Sequence, residues 1–264
     1  RRCLKQNRVP LALSARVQRY LEHVWKRKQQ NISTDGIPLF ALLSEQLIHE
    51  LKSEMFVPQL SVHPLFSYVC QSSAVTAGRL ANGAISPKSL AQNDSAFLPG
   101  ENATHMTFVR QGMLQYIKVN SFGTELKEWV DKLEDWIAEP VMWLPSWVHL
   151  GSLVATMECD LLLLDPDQFC HIVHLNPSVF QLVTTYARNF HLWLNSLQPD
   201  NLSDIWQGEF VGPRVRQLMG ASSAGNVGLH RGGSMVSDLP SFKLPLPPRR
   251  STSPGKRRFS TAVG

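Results

Sequence analysis

Glu139 stands directly before Pro140 in the stretch WIAEPVMWLPSWVHL (136–150), among Trp136, Trp143 and Trp147, and His149 follows ten positions on. A carboxylate and an imidazole inside an apolar run are groups that hold a polar ligand. The acid accepts from hydroxyls, and the ring, once protonated, receives an anion. Other residues invite sharper chemistry and do not sustain it. His171 and His174, three apart on an expected helix, could join His149 at a metal, but no matching carboxylate or cysteine array accompanies them. A surface or helix-packing role suits them better, and no metal is expected. Glu125, Glu128, Asp131, Glu134 and Asp135 lack the alternating ligands and central glycine of a calcium loop. Interleaved with Lys127 and Lys132, they read as a solvated insertion between strands. Cys3, Cys70, Cys159 and Cys170 show neither CxxC spacing nor a disulfide framework, which fits reduced thiols in an intracellular compartment. There are no paired carboxylates, no catalytic triad and no phosphate-cradling glycine loop, so an enzyme is not expected.

The elements that must position Glu139 and His149 are readable from periodicity. Leu13, Val17, Leu21 and Val24 recur at helical spacing over 11–30, with Arg16, Arg19, Lys26 and Lys28 on other faces. Asn31 to Gly36 breaks that helix. Ser44 is an expected N-cap for a second helix through Phe56 that buries Leu47, Leu51 and Met55 and ends at Pro58. Pro64 suits the first turn of a third. After Gly83, short apolar stretches alternate with turn residues. MTFVRQGMLQYIKV (106–119) predicts two strands around Gly112, and SLVATMECDLLLLD (152–165) two more around Glu158. Helical spacing returns at Phe169, Ile172 and Val173, then at Phe180, Val183, Ala187, Phe190 and Leu194. The fold class is therefore α+β: helices, an antiparallel jelly-roll-like β-roll over 84–165 with flanking helices, then a basic tail.

Of 264 residues, 43% are hydrophobic, enough to bury a core, while no apolar run approaches the roughly 18 residues of a membrane span. The opening RRCLKQNR has no initiator Met and no signal-peptide core, so a piece of a longer chain is expected. The net charge of +5 is uneven: residues 1–30 carry +8, residues 211–264 carry +8, and 31–210 carry −11. Basic ends on an acidic body argue against a nucleic-acid-binding core and fit ends that meet a membrane surface or an acidic partner. The tail from Val211 holds much of the chain's glycine and few large apolar residues, which predicts disorder. Within it PLPPRR (245–250) fits a polyproline ligand, and RRFS (257–260) places two arginines before Ser260, a pattern for basophilic phosphorylation.

SARVQRYLEHVWKR (14–27), LLSEQLIHELKSEMFVPQLSVHPLF (42–66), NDSAFLPGENATHMTFVRQGMLQYI (93–117) and CDLLLLDPDQF (159–169) together resemble a known arrangement. It is the cytoplasmic part of the cyclic-nucleotide-gated, hyperpolarisation-activated and ether-a-go-go-like cation channels, over about residues 9–197. The resemblance implies a helical C-linker (1–66), a cyclic-nucleotide-binding-domain-like roll with flanking helices (67–197) and a disordered tail (198–264). It implies a gating and assembly module on the cytoplasmic face of a membrane. Its partners would be a channel transmembrane domain upstream of residue 1 and three further copies, in a homotetramer formed through the C-linker.

The same resemblance places WIAEPVMWLPSWVHL at the phosphate-binding cassette. In nucleotide-binding members a Gly-Glu pair, free backbone amides and an Arg followed by Thr or Ala hold the ribose hydroxyl and the cyclic phosphate. Here the pair is Ala138-Glu139, the Arg position falls on His149 and the next on Leu150, and Pro140 removes an amide. Each lost charge-assisted hydrogen bond is worth about 1.5–3 kcal/mol. Two such losses weaken binding roughly 10²- to 10⁴-fold. The expectation is a degenerate pocket without cAMP or cGMP, its space filled by apolar side chains and Glu139 bonded to local backbone amides. The alternative is a soluble cAMP- or cGMP-binding sensor of the kinase-regulatory type, which would lack the C-linker.

Overall fold

The computed structural model describes residues 6–7, 9–30, 42–131, 136–206 and 211–220. Those residues belong to one compact unit, residues 1–225. Helix α1 is Leu11–Gln30, α2 Glu45–Leu60, α3 Pro64–Ser72 and α4 Ala74–Gly83. Ser44 caps α2, its hydroxyl accepting from the Leu47 N–H at 3.4 Å. Pro58 does not end α2. It sits in the last turn, where its missing N–H forfeits one bond, and the helix closes at Ser61, whose N–H and hydroxyl both reach the Val57 carbonyl. The buried residues of α2 are Phe56 and Leu60. Leu47 is half exposed and Leu51 and Met55 only partly covered, because the helix presses its C-terminal end on the core. Pro64 takes the first turn of α3 as its φ allows, and the His63 ring caps that helix by accepting the Leu65 N–H at 3.2 Å.

The roll follows: β1 Ile85–Leu90, β2 Ser95–Phe97, β3 Met106–Gln111, β4 Leu114–Val119, β5 Glu125–Val130, β6 Trp136–Ile137, β7 Ser152–Ala155 and β8 Cys159–Leu164. They form two four-stranded sheets, ordered β1-β8-β3-β6 and β2-β7-β4-β5, with every pairing antiparallel. Residues 125–130 are thus a strand rather than an insertion, β5 pairing along β4 from Val119↔Glu125 to Leu114↔Val130. Asp131 follows it at once, and Glu134 and Asp135 lie outside the described residues. Neither β3–β4 nor β7–β8 is a hairpin: each turn carries the chain from one sheet to the other. At the first, Gly112 has φ +96°, and a Cβ there would stand 2.5 Å from Cys159 Sγ and 2.6 Å from the Glu158 carbonyl. The run of leucines in β8 is buried on both faces. Leu161 looks into the roll with Leu153, Leu114 and Tyr116, while Leu162 and Leu164 look onto the helices with Phe66, Phe108 and Phe169.

Helices α5 Pro166–His174 and α6 Pro177–Ser196 close the helical side, capped by Asp165 and Asn176. The chain does not become a tail at 198. A 3₁₀ turn at Pro199–Asn201 is followed by buried Asp204 and Ile205, and helix α7, Val211–Leu218, packs Val215 and Leu218 into the helical core. The expectation of disorder from Val211 fails there because two apolar residues one turn apart suffice to dock a short helix. Residues 221–264, with PLPPRR and Ser260, lie outside the described residues. The boundary at 66/67 separates no cores either, since Phe56, Leu60, Leu65 and Phe66 share one cluster with Phe108 and Phe169.

Candidate functional site

The cassette begins where β6 ends. Ala138 has φ 58° and ψ 38°, the left-handed region in which the resembled family has glycine. Its N–H donates to the Asp204 carbonyl at 2.7 Å. Ala138→Gly relieves a strain of about 1–2 kcal/mol. It adds back about 0.5–1 kcal/mol of chain entropy and loses a buried methyl, so urea denaturation should register a change within about 1 kcal/mol. Pro140 follows in the first turn of a 3₁₀ turn, Glu139–Met142, a position whose N–H would be unbonded within the turn in any case.

Glu139 is 1% exposed and accepts four-way attention from side chains rather than from backbone amides. Trp136 Nε1 donates to Oε2 at 2.7 Å; Trp143 Nε1 at 3.0 Å and the Tyr186 hydroxyl at 2.7 Å donate to Oε1. His63 Nε2 lies 3.3 Å from the same Oε1 but off line for a hydrogen bond, so it acts by proximity. Because His63 Nδ1 accepts the Leu65 N–H, the network assigns the ring proton to Nε2, facing the carboxylate. Burial pushes the Glu139 carboxyl up. The His63 ring and the donors from Tyr186 and Trp143 outweigh that and hold it below the ordinary value. The acid therefore ties the cassette to α3 and α6.

His149 and Leu150 converge on a residue that motif matching missed. Asp204 is fully buried. Its Oδ1 accepts from Trp147 Nε1 at 2.7 Å and His149 Nδ1 at 3.2 Å, and its Oδ2 from the Leu150 N–H at 2.7 Å, the Gly151 N–H at 3.1 Å and the Tyr116 hydroxyl at 2.8 Å. Gly151 is required by close approach, since a Cβ would stand 2.5 Å from the Tyr116 ring. Burial raises the Asp204 carboxyl, but the His149, Trp147 and Tyr116 donors more than offset it and leave it lowered. The space is thus filled by a carboxylate and its donors, not by apolar side chains alone.

The segment that brings Asp204 is pinned at both ends. Ile205 bridges Ile137 beside β6, and Trp206 packs on Trp193 with centroids 4.8 Å apart. Upstream, buried Lys118 donates to the Asp200 carbonyl at 2.8 Å and to that of Leu202. Ser121 at the β4–β5 turn holds the Asp200 side chain through N–H and hydroxyl, at 3.0 and 2.5 Å. The one sequence signal for this was LSDIW (202–206), where a single acid sits between apolar residues just after a helix.

His171 and His174 stand on α5, away from His149, and among the described residues no three His, Cys, Asp or Glu gather as a metal site. Cys70, Cys159 and Cys170 form no disulfide. Burial pushes the Cys70 thiol up to about 11, against a nucleophilic role.

No family model and no curated protein matches the chain. Among solved structures it is similar to the sensor domain of the transcriptional regulator DNR from Pseudomonas aeruginosa, at 17% identity over 57% of this chain and 98% of that one, TM-score 0.42. It is also similar to the N-terminal domain of a transcriptional regulator from Streptomyces coelicolor A3(2), at 19% identity over 62% and 95%, TM-score 0.37. A third is a cyclic nucleotide-binding-like protein from Brucella abortus, at 18% identity over 45% and 97%, TM-score 0.38. Likeness at this level decides nothing about ligand or partner.

Proposed function

We propose that the chain is the cytoplasmic gating and assembly module of a voltage-gated, potassium-selective cation channel whose nucleotide pocket is closed by its own Asp204. The observation that carries the loss of nucleotide is that the Leu150 and Gly151 amides and the His149 ring already serve this carboxylate. A cyclic phosphate gains none of those donors while Asp204 holds them, and a second negative charge there is repelled. The channel assignment is supported by the C-linker resemblance of residues 14–66. It is further supported by α1, which Arg16–Asp94 and Arg19–Gln92 tie to the roll while Leu11, Leu13, Leu21 and Trp25 stay exposed. Among the described residues no helix is long and apolar enough to cross a membrane, so the pore belongs to a segment before residue 1. In this reading α1 meets neighbouring copies in a homotetramer, and the basic ends face the membrane surface.

Two measurements test this. Calorimetry at pH 7 is expected to show no heat for cAMP or cGMP at micromolar ligand. Micromolar affinity for either would sink the reading and favour the soluble sensor. His149→Arg should restore little, because Asp204 keeps the amides and Pro140 supplies none. Light scattering should give a larger mass for the full chain than for the chain lacking residues 1–41, a cut that spares α2 and the core. Equal masses count against assembly through α1.

A further inference from the structure

A second polar space adjoins the closed pocket. A cavity of about 220 Å³ lies between β1, β2, β3, β8 and the loop at 101–105, bordered by the His149 ring but not by Asp204. That ring stacks flat on Phe97, with centroids 3.6 Å apart and 4° between planes, and its side chain is only 8% exposed. Its Nδ1 is committed to Asp204, which leaves Nε2 without a partner among the described residues. Lys88 enters the same wall from β1, opposite Leu161, and no acid pairs with it among the described residues. Thr107, opposite Leu163 on β3, adds a hydroxyl. Thr104 holds His105 in place, Oγ1 to Nδ1 at 2.8 Å, while Asp165 stands 3.8 Å from His105 Nε2. Glu101, an acid on the wall, is turned to its own backbone, its Oε2 accepting the Leu98 N–H at 2.9 Å.

We infer that this cavity binds a small tetrahedral oxyanion of the phosphate type. An unpaired ammonium, a buried ring nitrogen without a partner and hydroxyls around one space are donors in search of an acceptor. The volume falls below the roughly 300–1,000 Å³ of sites for larger organic ligands, which fits an ion and not a nucleotide. An anion on Nε2 and Asp204 on Nδ1 bracket one imidazole and favour its doubly protonated form, because each negative charge stabilises the cation. Filling the cavity therefore strengthens the His149–Asp204 contact and holds the neighbouring pocket shut. The site is independent of the channel assignment.

The test is a titration of the full chain with sodium phosphate against sodium chloride at equal ionic strength. Calorimetry gives the heat, and long-range NMR of ¹⁵N-labelled histidine follows the His149 ring nitrogens. Phosphate is expected to saturate with a Kd of about 1 mM or tighter and to move the Nε2 resonance to its protonated position. Lys88→Ala and Thr107→Val, neither in the closed core, should each weaken binding about tenfold. Lys127→Ala, on β5 and outside the cavity, should leave it unchanged. A response equal to that of chloride, or wild-type affinity in both Lys88→Ala and Thr107→Val, overturns the inference.

Discussion

Asp204→Ala should cost about 4 kcal/mol of folding stability, a large part of what a domain of this size possesses. The carboxylate answers five donors from three parts of the chain: two indole or imidazole N–H groups, two backbone amides and one phenol. Removing it leaves several of them buried without an acceptor, at about 1–3 kcal/mol each where water does not enter. Asp204→Asn is the sharper test. Both oxygens face only donors, so an amide must turn its NH₂ against either Trp147 and His149 or Leu150, Gly151 and Tyr116. The loss should approach that of alanine, which a role in mere space-filling does not predict. Urea denaturation reads both, and a cost under about 1 kcal/mol for either would show that water replaces the carboxylate.

Glu139→Gln should cost about 3 kcal/mol for a related reason: Trp136, Trp143 and Tyr186 all donate to it, and none can accept from an amide in the same geometry. The two carboxylates also set the response to acid. Both are lowered in the folded protein, so each contributes stability that is fully present above its ordinary unfolded value. That contribution disappears as pH falls from about 4–5 through the lower folded values. Wild-type stability should therefore drop steeply below about pH 4.5, and Glu139→Gln should show a shallower slope over the same window. Parallel slopes for the two proteins would mean that other acids govern the loss.

Much of this arrangement could be read before any coordinates. Ser44 and Pro64 announced two helix starts, because a hydroxyl cap and a residue without an N–H each satisfy a first turn locally. Alternation gave the strands from 106 to 119, and motif alignment put Ala138, Glu139, His149 and Leu150 in one cassette. Periodicity could not say that Gly112 switches sheets, since both partner strands lie far along the chain. It also misread 125–130, where exposed charges on an edge strand look like a loop. Lys118 on β4 looked like a solvent-facing residue, yet its ammonium is buried against two carbonyls from beyond α6. Asp204 was invisible for the same reason. Its role depends on a return of the chain that leaves no local pattern.

Asp204 also has a timetable. Its partner Tyr116 precedes it by 88 positions and His149 by 55, with α5 and α6 made in between. On a ribosome adding about 5–20 residues per second, every strand of the roll emerges on the order of seconds before the acid that satisfies its pocket. The nascent domain thus passes through a stage with two free amides and two unanswered ring N–H groups at its centre. Loop closure over such a span is slow to be rewarded, so this stage is also the one from which refolding is delayed. During that window a free anion, including a cyclic nucleotide that the finished protein refuses, finds an unoccupied seat and is expelled when α6 and the chain beyond it arrive.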